Sequence, residues 1–193
     1  ATSVSMLSDI VTGRANAEGE PGAAPSLSAT LSCVWGCPFD GEVSVSQVED
    51  LVGRIGELGV KEIALADTIG VADPWAVTRK VEAARRAAPE AVLRLHFHDT
   101  RNTGLANANG GVKAGIDVLD ASVGGSGGCP FARGATGNIA TEDLVYMLER
   151  GGFDTGYDLE ALIDTARWIG GLIGRPAPSA LSRAGGWPRP AEA

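Results

Sequence analysis

The sequence of 193 residues lacks the features that mark several large classes of protein. No apolar run approaches the roughly 18 residues of a membrane-spanning helix, and a formal net charge of −8 offers no basic face to nucleic acid. The three cysteines are an odd number, and no basic leader precedes an apolar run at the N-terminus. Because small secreted domains usually pair their cysteines, these absences predict a reduced, cytoplasmic protein with no nucleic-acid or membrane partner.

What is present is a globular composition, with hydrophobic residues at 44%. Residues 12–25 are small and polar and are interrupted by glycine and proline, which predicts a linker or disordered arm after a short helix near residues 6–11. We therefore expect an N-terminal arm over 1–25, one domain over 26–175 and a C-terminal tail over 176–193.

From residue 27 onwards, β-type apolar runs alternate with helical patterns. The runs are 27–34, 62–66, 92–97 and 118–123, and the helical patterns are 46–59, 74–88, 104–114, one from 141 and 158–174. This alternation predicts βαβ units and a parallel sheet. Four units make about half of a (β/α)8 barrel, which needs about 250 residues. A Rossmann fold ranks second, because no G-x-G-x-x-G follows the first run.

The two histidines of the chain, His96 and His98, lie at the end of the third run, beside Asp99. Side chains at i and i+2 of a strand share one face, so both imidazoles could bind one divalent metal while oxygen ligands complete its shell. The alternative is a pair of ordinary hydrogen-bonded histidines. Their shared strand end favours the metal site.

Other reactive side chains also follow predicted strands. Cys129 lies in the glycine-rich segment 124–130, where a thiol could act as a general acid or base or could be only a small loop residue. Asp67 could be a base, a partner of a substrate hydroxyl or a helix N-cap. Cys33 and Cys37 have no second pair of metal ligands near them in sequence, which favours ordinary thiols over a structural zinc site.

Five segments together resemble hydroxymethylglutaryl-CoA lyase. They are 32–39 (SCVWGCPF), 67–71 (DTIGV), 96–100 (HFHDT), 122–132 (SVGGSGGCPFA) and 137–148 (GNIATEDLVYML). The resemblance runs from about residue 28 to about residue 174. The Gly-Cys-Pro around Cys129 separates this chain from related metal-dependent synthases such as isopropylmalate synthase, whose similar glycine-rich loop lacks it.

The resemblance implies a (β/α)8 barrel, with about its last four βα units in this chain, and a metal-dependent carbon–carbon lyase. It implies that His96, His98 and Asn138 bind Mg²⁺ or Mn²⁺, that Cys129 is the catalytic thiol and that Asp67 lies near the substrate hydroxyl. The implied reaction cleaves the acyl-CoA substrate 3-hydroxy-3-methylglutaryl-CoA to acetyl-CoA and acetoacetate, as in leucine catabolism.

One part of the family pattern is missing. The family carries an Asp-Gly-Leu-Arg-Asp-like segment after its first strand, which supplies a metal carboxylate and an arginine for the enolate oxygen, and residues 1–25 do not resemble it. Without that arginine the developing oxyanion loses its main cationic partner.

Three hypotheses therefore stand: half of a lyase, a related lyase acting on a larger 3-hydroxyglutaryl-CoA derivative, or a non-catalytic remnant that binds a metal or a partner. In each case we expect a homo-oligomer or association with a complementary half barrel.

Overall fold

The computed structural model describes residues 3–17, 26–128 and 137–187. The helices are α1 (Ser3–Ala17), α2 (Val45–Glu57), α3 (Pro74–Ala87), α4 (Gly104–Lys113), α5 (Thr141–Arg150), α6 (Leu159–Leu172) and α7 (Ala180–Ala184). The strands are β1 (Ser28–Leu31), β2 (Gly36–Cys37), β3 (Gly41–Glu42), β4 (Glu62–Asp67), β5 (Val92–Phe97) and β6 (Val118–Asp120), and a 3-10 turn covers Val123–Gly125. None of the described helices is both long and apolar enough to cross a membrane.

The main sheet has four parallel strands in the order β1-β4-β5-β6, and β2 and β3 form a separate antiparallel pair. The predicted α/β class with a parallel sheet is therefore confirmed. Two strands are shorter than predicted. The first ends before Cys33, whose φ is 58°, and the last ends before the turn at Val123–Gly125; neither conformation continues an extended strand.

The two faces of the sheet differ in chemistry because successive side chains of a strand alternate between them. The face under the helices is apolar and fully buried; it includes Ile63, Leu65, Leu93, Leu95 and Phe97. The opposite face carries the polar residues Ser28, Thr30, Glu62, Arg94, His96 and Asp120 together with the apolar residues Ala64, Ala66, Val92 and Val118, in register across the strands. This face is therefore mixed in polarity, in contrast to the apolar face under the helices.

Local signals place the helices that hold the sheet. A capping box between Ser44 and Gln47 begins α2, and Asp73 caps α3 by accepting from Trp75 and Ala76, with Pro74 in the first turn. Each arrangement satisfies backbone N–H groups that have no partner within the helix. The predicted starts of these helices are confirmed to within a residue or two.

The two ends of the chain are more ordered than the sequence predicts. Helix α1 continues to Ala17, so the linker expected from residue 12 is wrong for residues 12–17. Tertiary contact explains the difference, because Leu7 and Val11 pack against the hydrophobic core. The expected C-terminal tail contains α7, which buries Leu181. The boundaries at 25 and 175 stay predictions.

Candidate active site

The two histidines lie together at the C-terminal end of β5. Their ring centroids are 5.2 Å apart with an interplanar angle of 65°. Both line one cavity of about 270 Å³, whose other lining residues are Thr30, Ser32, Ala64, Ala66, Thr68 and Asp120. The predicted placement of both imidazoles on one face is confirmed. The C-terminal ends of parallel strands are where α/β barrels place their working residues.

Asn138 joins the histidines from a distant part of the chain. It forms an isolated antiparallel bridge with His98, and the next residue, Ile139, donates its N–H to the carbonyl oxygen of Phe97 at 3.0 Å. The amide Nδ2 of Asn138 donates to the carbonyl oxygen of Ser126 at 2.8 Å. This bond fixes the amide plane and leaves Oδ1 as the atom that can bind a cation.

These three side chains fit part of a divalent-cation shell, since two imidazoles and one amide oxygen are neutral ligands. In the described ranges, no group of three or more His, Cys, Asp and Glu side chains could hold a metal by itself. The nearest carboxylate on this face, Asp120, already contacts His96 and Arg94. An anionic ligand would therefore have to come from outside the described residues, which agrees with the carboxylate segment that the sequence lacks.

A charged group that the sequence patterns did not indicate supports His96. The imidazole Nδ1 lies 2.5 Å from Oδ1 of Asp120, and Oδ2 of the same carboxylate lies 3.4 Å from Nε of Arg94. The guanidinium also reaches Oε1 of Glu62 at 3.1 Å. The only sequence signal is strand alternation, which places all four residues on one face once the strand pairing is known.

Asp67 is the last residue of β4. Its carboxylate is fully buried and accepts the N–H groups of Val71 at 3.0 Å and Ala72 at 2.9 Å. Burial raises the pKa of this carboxyl, and those two backbone hydrogen bonds and the nearby imidazole of His98 oppose the rise. The geometry therefore gives Asp67 a loop-supporting role. The alternative of a helix N-cap is wrong, because Asp73 caps α3, and substrate contact stays a prediction.

Cys129 lies outside the described residues, and the chain is described up to Gly128 and again from Gly137. The N–H of Gly124 donates to Oε2 of Glu142 at 3.0 Å. A Cβ atom on Gly137 would lie only 2.0 Å from the carbonyl oxygen of Gly125. The backbone that precedes Cys129 and the backbone that follows it at Gly137 are therefore in contact. Both stretches lie beside Asn138, at the same edge of the sheet as the histidines.

The excursion between β1 and α2, residues 33–43, is held by one buried cation. Nζ of Lys80 donates to the carbonyl oxygens of Val34 at 2.9 Å and Val43 at 2.6 Å. Cys33 and Cys37 are free thiols in this excursion, and the Sγ of Cys37 donates to Asp40 at 3.4 Å. The interpretation of these cysteines as ordinary thiols is consistent with this geometry.

Comparison with known proteins shows a family match and similar proteins that include this site. The HMGL-like family matches residues 21–169. Hydroxymethylglutaryl-CoA lyase YngG of Bacillus subtilis is 47% identical over 151 residues, which are 78% of this chain and 50% of that protein. The mitochondrial hydroxymethylglutaryl-CoA lyase of Gallus gallus is 42% identical over 154 residues, which are 80% of this chain and 52% of that protein.

A solved structure agrees with these relatives. The HMG-CoA lyase of Acinetobacter baumannii, in complex with coenzyme A and 3-methylmalate, superposes with a TM-score of 0.86 and 39% identity, over 100% of this chain and 62% of that one. The chain spans about half the length of the curated relatives it matches.

Proposed function

This chain belongs to the HMGL-like family, and we propose from that membership that it is the C-terminal half of a (β/α)8-barrel lyase that cleaves 3-hydroxy-3-methylglutaryl-CoA. The observation that carries the proposal is the meeting of His96, His98 and Asn138 at one edge of the sheet, beside the closed ends of the glycine-rich segment. The exact number of βα units and the complete barrel are part of the proposal.

The family uses a divalent metal, and we assign its protein ligands in this chain to His96, His98 and Asn138. Mg²⁺ or Mn²⁺ bound there would orient and polarise oxygen atoms of the substrate. The imidazoles and the amide hold the cation at the C-terminal end of the sheet, and the hydrogen bond from Asn138 to Ser126 ties this ligand to the glycine-rich segment.

The chemistry is a retro-aldol-type cleavage of a 3-hydroxyacyl thioester. A base removes the proton of the C3 hydroxyl, the C2–C3 bond breaks, and its electron pair passes to the acetyl-CoA enolate while C3 becomes the ketone of acetoacetate. Cys129 donates the proton that converts the enolate to acetyl-CoA. The base and the cation that stabilises the enolate oxygen belong to the part of the barrel outside this chain.

A second substrate class is supported by two relatives. The (R)-citramalyl-CoA lyase of Chloroflexus aurantiacus is 42% identical over 160 residues. The 3-hydroxy-3-isohexenylglutaryl-CoA/hydroxymethylglutaryl-CoA lyase of Pseudomonas aeruginosa is 42% identical over 154 residues. Another acyl-CoA ester is therefore the alternative substrate, and the second of these relatives supports one with a larger group at C3. A cytoplasmic location remains a prediction from the cysteine number.

Complementation tests the catalytic proposal. The chain is mixed with a segment that carries the missing Asp-Gly-Leu-Arg-Asp motif, and acetoacetate release is measured with each acyl-CoA ester. We expect no turnover from the chain alone, turnover from the mixture, and none when the chain carries Cys129→Ser. Full turnover by the chain alone would refute this division of the active site, and a mixture that assembles but stays inactive would favour the non-catalytic alternative.

Calorimetric titration with Mn²⁺ tests the ligand set separately. We expect one site in the wild-type chain and no site after His98→Ala, because two imidazoles and an amide cannot lose one ligand and keep the same affinity. His98→Ala with an unchanged isotherm would show that the ligands lie elsewhere.

A further inference from the structure

We propose that Asp120 and Arg94 form a support that holds His96 in one orientation and one tautomer, with Nε2 as the metal-binding nitrogen. This inference rests on the proposed function for its purpose, but its geometry lies entirely within this chain. Asp120 and Arg94 are positioning residues, since they act on the cation only through His96.

The support is built by strand pairing. His96 of β5 pairs directly with Asp120 of β6, so the two side chains are cross-strand neighbours on one face. Arg94 lies two residues before His96 and is therefore on the same face. Its partner across the other edge of β5 is Ala64, whose small side chain leaves room for the guanidinium to reach Glu62.

The charges keep Asp120 in its place. The Arg94 guanidinium lies between two carboxylates, with Glu62 at 3.1 Å and Asp120 at 3.4 Å. Arginine stays protonated in proteins. Its guanidinium therefore forms an ion pair with Oδ2 of Asp120, without a hydrogen bond from Nε, and Oδ1 is left for His96.

The tautomer follows from the acceptor. An ionised carboxylate can only accept a hydrogen bond, so the proton of neutral His96 lies on Nδ1, 2.5 Å from Asp120 Oδ1. Nε2 then carries the lone pair. Metal-binding histidines commonly donate their second ring nitrogen to a carboxylate, and loss of that partner typically weakens metal binding about 10-fold to 100-fold.

Nitrogen-15 NMR of histidine-labelled chain, without metal and at a pH where both imidazoles are neutral, tests the support. Only two histidines contribute signals, and His98→Gln assigns them. We expect the Nδ1-protonated form for His96 in the wild-type chain and a mixture, or the Nε2-protonated form, after Asp120→Asn. Arg94→Met should shift the balance in the same direction, and Arg94→Lys should restore part of it.

Asp117→Asn is the matched control. Asp117 directly precedes β6 and also pairs with an arginine, Arg85, but it does not line the histidine cavity. We expect the His96 signals of this variant to be those of the wild type. A wild-type tautomer in Asp120→Asn, or an equal change in Asp117→Asn, would overturn the inference.

Mn²⁺ affinity separates this inference from the proposed function. Asp120→Asn should weaken binding about 10-fold to 100-fold, whereas Asp117→Asn should leave it unchanged. A defined tautomer in a wild-type chain that binds no Mn²⁺ would support the positioning role and contradict the proposed metal site. Mn²⁺ binding by a wild-type chain whose His96 tautomer is undefined would support the proposed metal site and contradict the positioning role.

Discussion

At the scale of single residues, Lys80 places a charged group in the interior of the protein. Its side chain is buried, and its ammonium group donates to two backbone carbonyls of the excursion 33–43. Lys80→Met would leave both carbonyls without that donor, so we expect the free energy of unfolding to fall by about 1–3 kcal/mol. The exposed neighbour Arg79 is the control, and Arg79→Met should change it by less than about 0.5 kcal/mol. Urea denaturation of the three proteins measures both differences.

The same lysine predicts a pH dependence. Burial lowers the pKa of Lys80 below its ordinary value of 10.5. Between that lowered pKa and 10.5 the folded state binds fewer protons at this site than the unfolded state, so the stability contributed by Lys80 rises with pH. The stability gap between wild type and Lys80→Met should therefore widen from about pH 7 to about pH 10. A gap that narrows over this range would contradict the burial of the charged amine.

At the scale of elements, the contact between the glycine-rich segment and the chain that re-enters the site at Asn138 depends on Gly137. Its absent side chain lets the backbone pass against Gly125, which brings Asn138 beside His98. Gly137→Ala should force these two stretches of backbone apart and lower the free energy of unfolding by about 1–3 kcal/mol. It should also weaken Mn²⁺ binding, because Asn138 moves with the backbone.

Gly128 provides the matched control for that substitution. It lies in the same segment, and a Cβ atom there would meet no heavy atom of the described residues within 4 Å. Gly128→Ala should therefore leave both stability and Mn²⁺ affinity close to wild type. If both alanine variants behave alike, the close approach at Gly137 does not control the position of Asn138.

At the scale of the whole molecule, an exposed sheet edge and exposed apolar surface predict association. In the described residues, β1 pairs only with β4, and a groove of about 770 Å³ between α1, β1 and α2 is lined by apolar residues such as Met6, Leu7 and Leu51. On α6, Trp168 and Leu172 are also exposed. Unpaired strand edges and contiguous apolar surface favour contact with another chain.

We expect the purified chain to form oligomers or aggregates, and a complementary N-terminal half to convert it to a defined complex. Size-exclusion chromatography with light scattering measures both states. Because the sheet face away from the helices carries charged side chains among its apolar ones, the strand edge and the apolar groove should drive this association. A stable monomer at high concentration would show that neither surface requires a partner.

The features that depend on short-range periodicity could be predicted from the sequence alone. The alternation of apolar runs and helical patterns predicted the parallel α/β fold, Ser44 and Asp73 marked helix starts, and the i, i+2 spacing placed His96 and His98 on one face. The motifs also identified the family before any contact was known. All of these signals span a few residues, so backbone geometry and hydrophobic period suffice to interpret them.

Contacts between residues that are distant in the sequence became visible in the tertiary structure alone. Asp120 is 24 residues from His96 and reaches it through strand register, and Lys80 is 46 residues from the carbonyl of Val34 that it binds. Asp67 is a further case, because β4 continues through it and its carboxylate accepts two backbone N–H groups of the loop that follows. Register and strand length are set by the packing of the whole sheet, and a local pattern does not contain them.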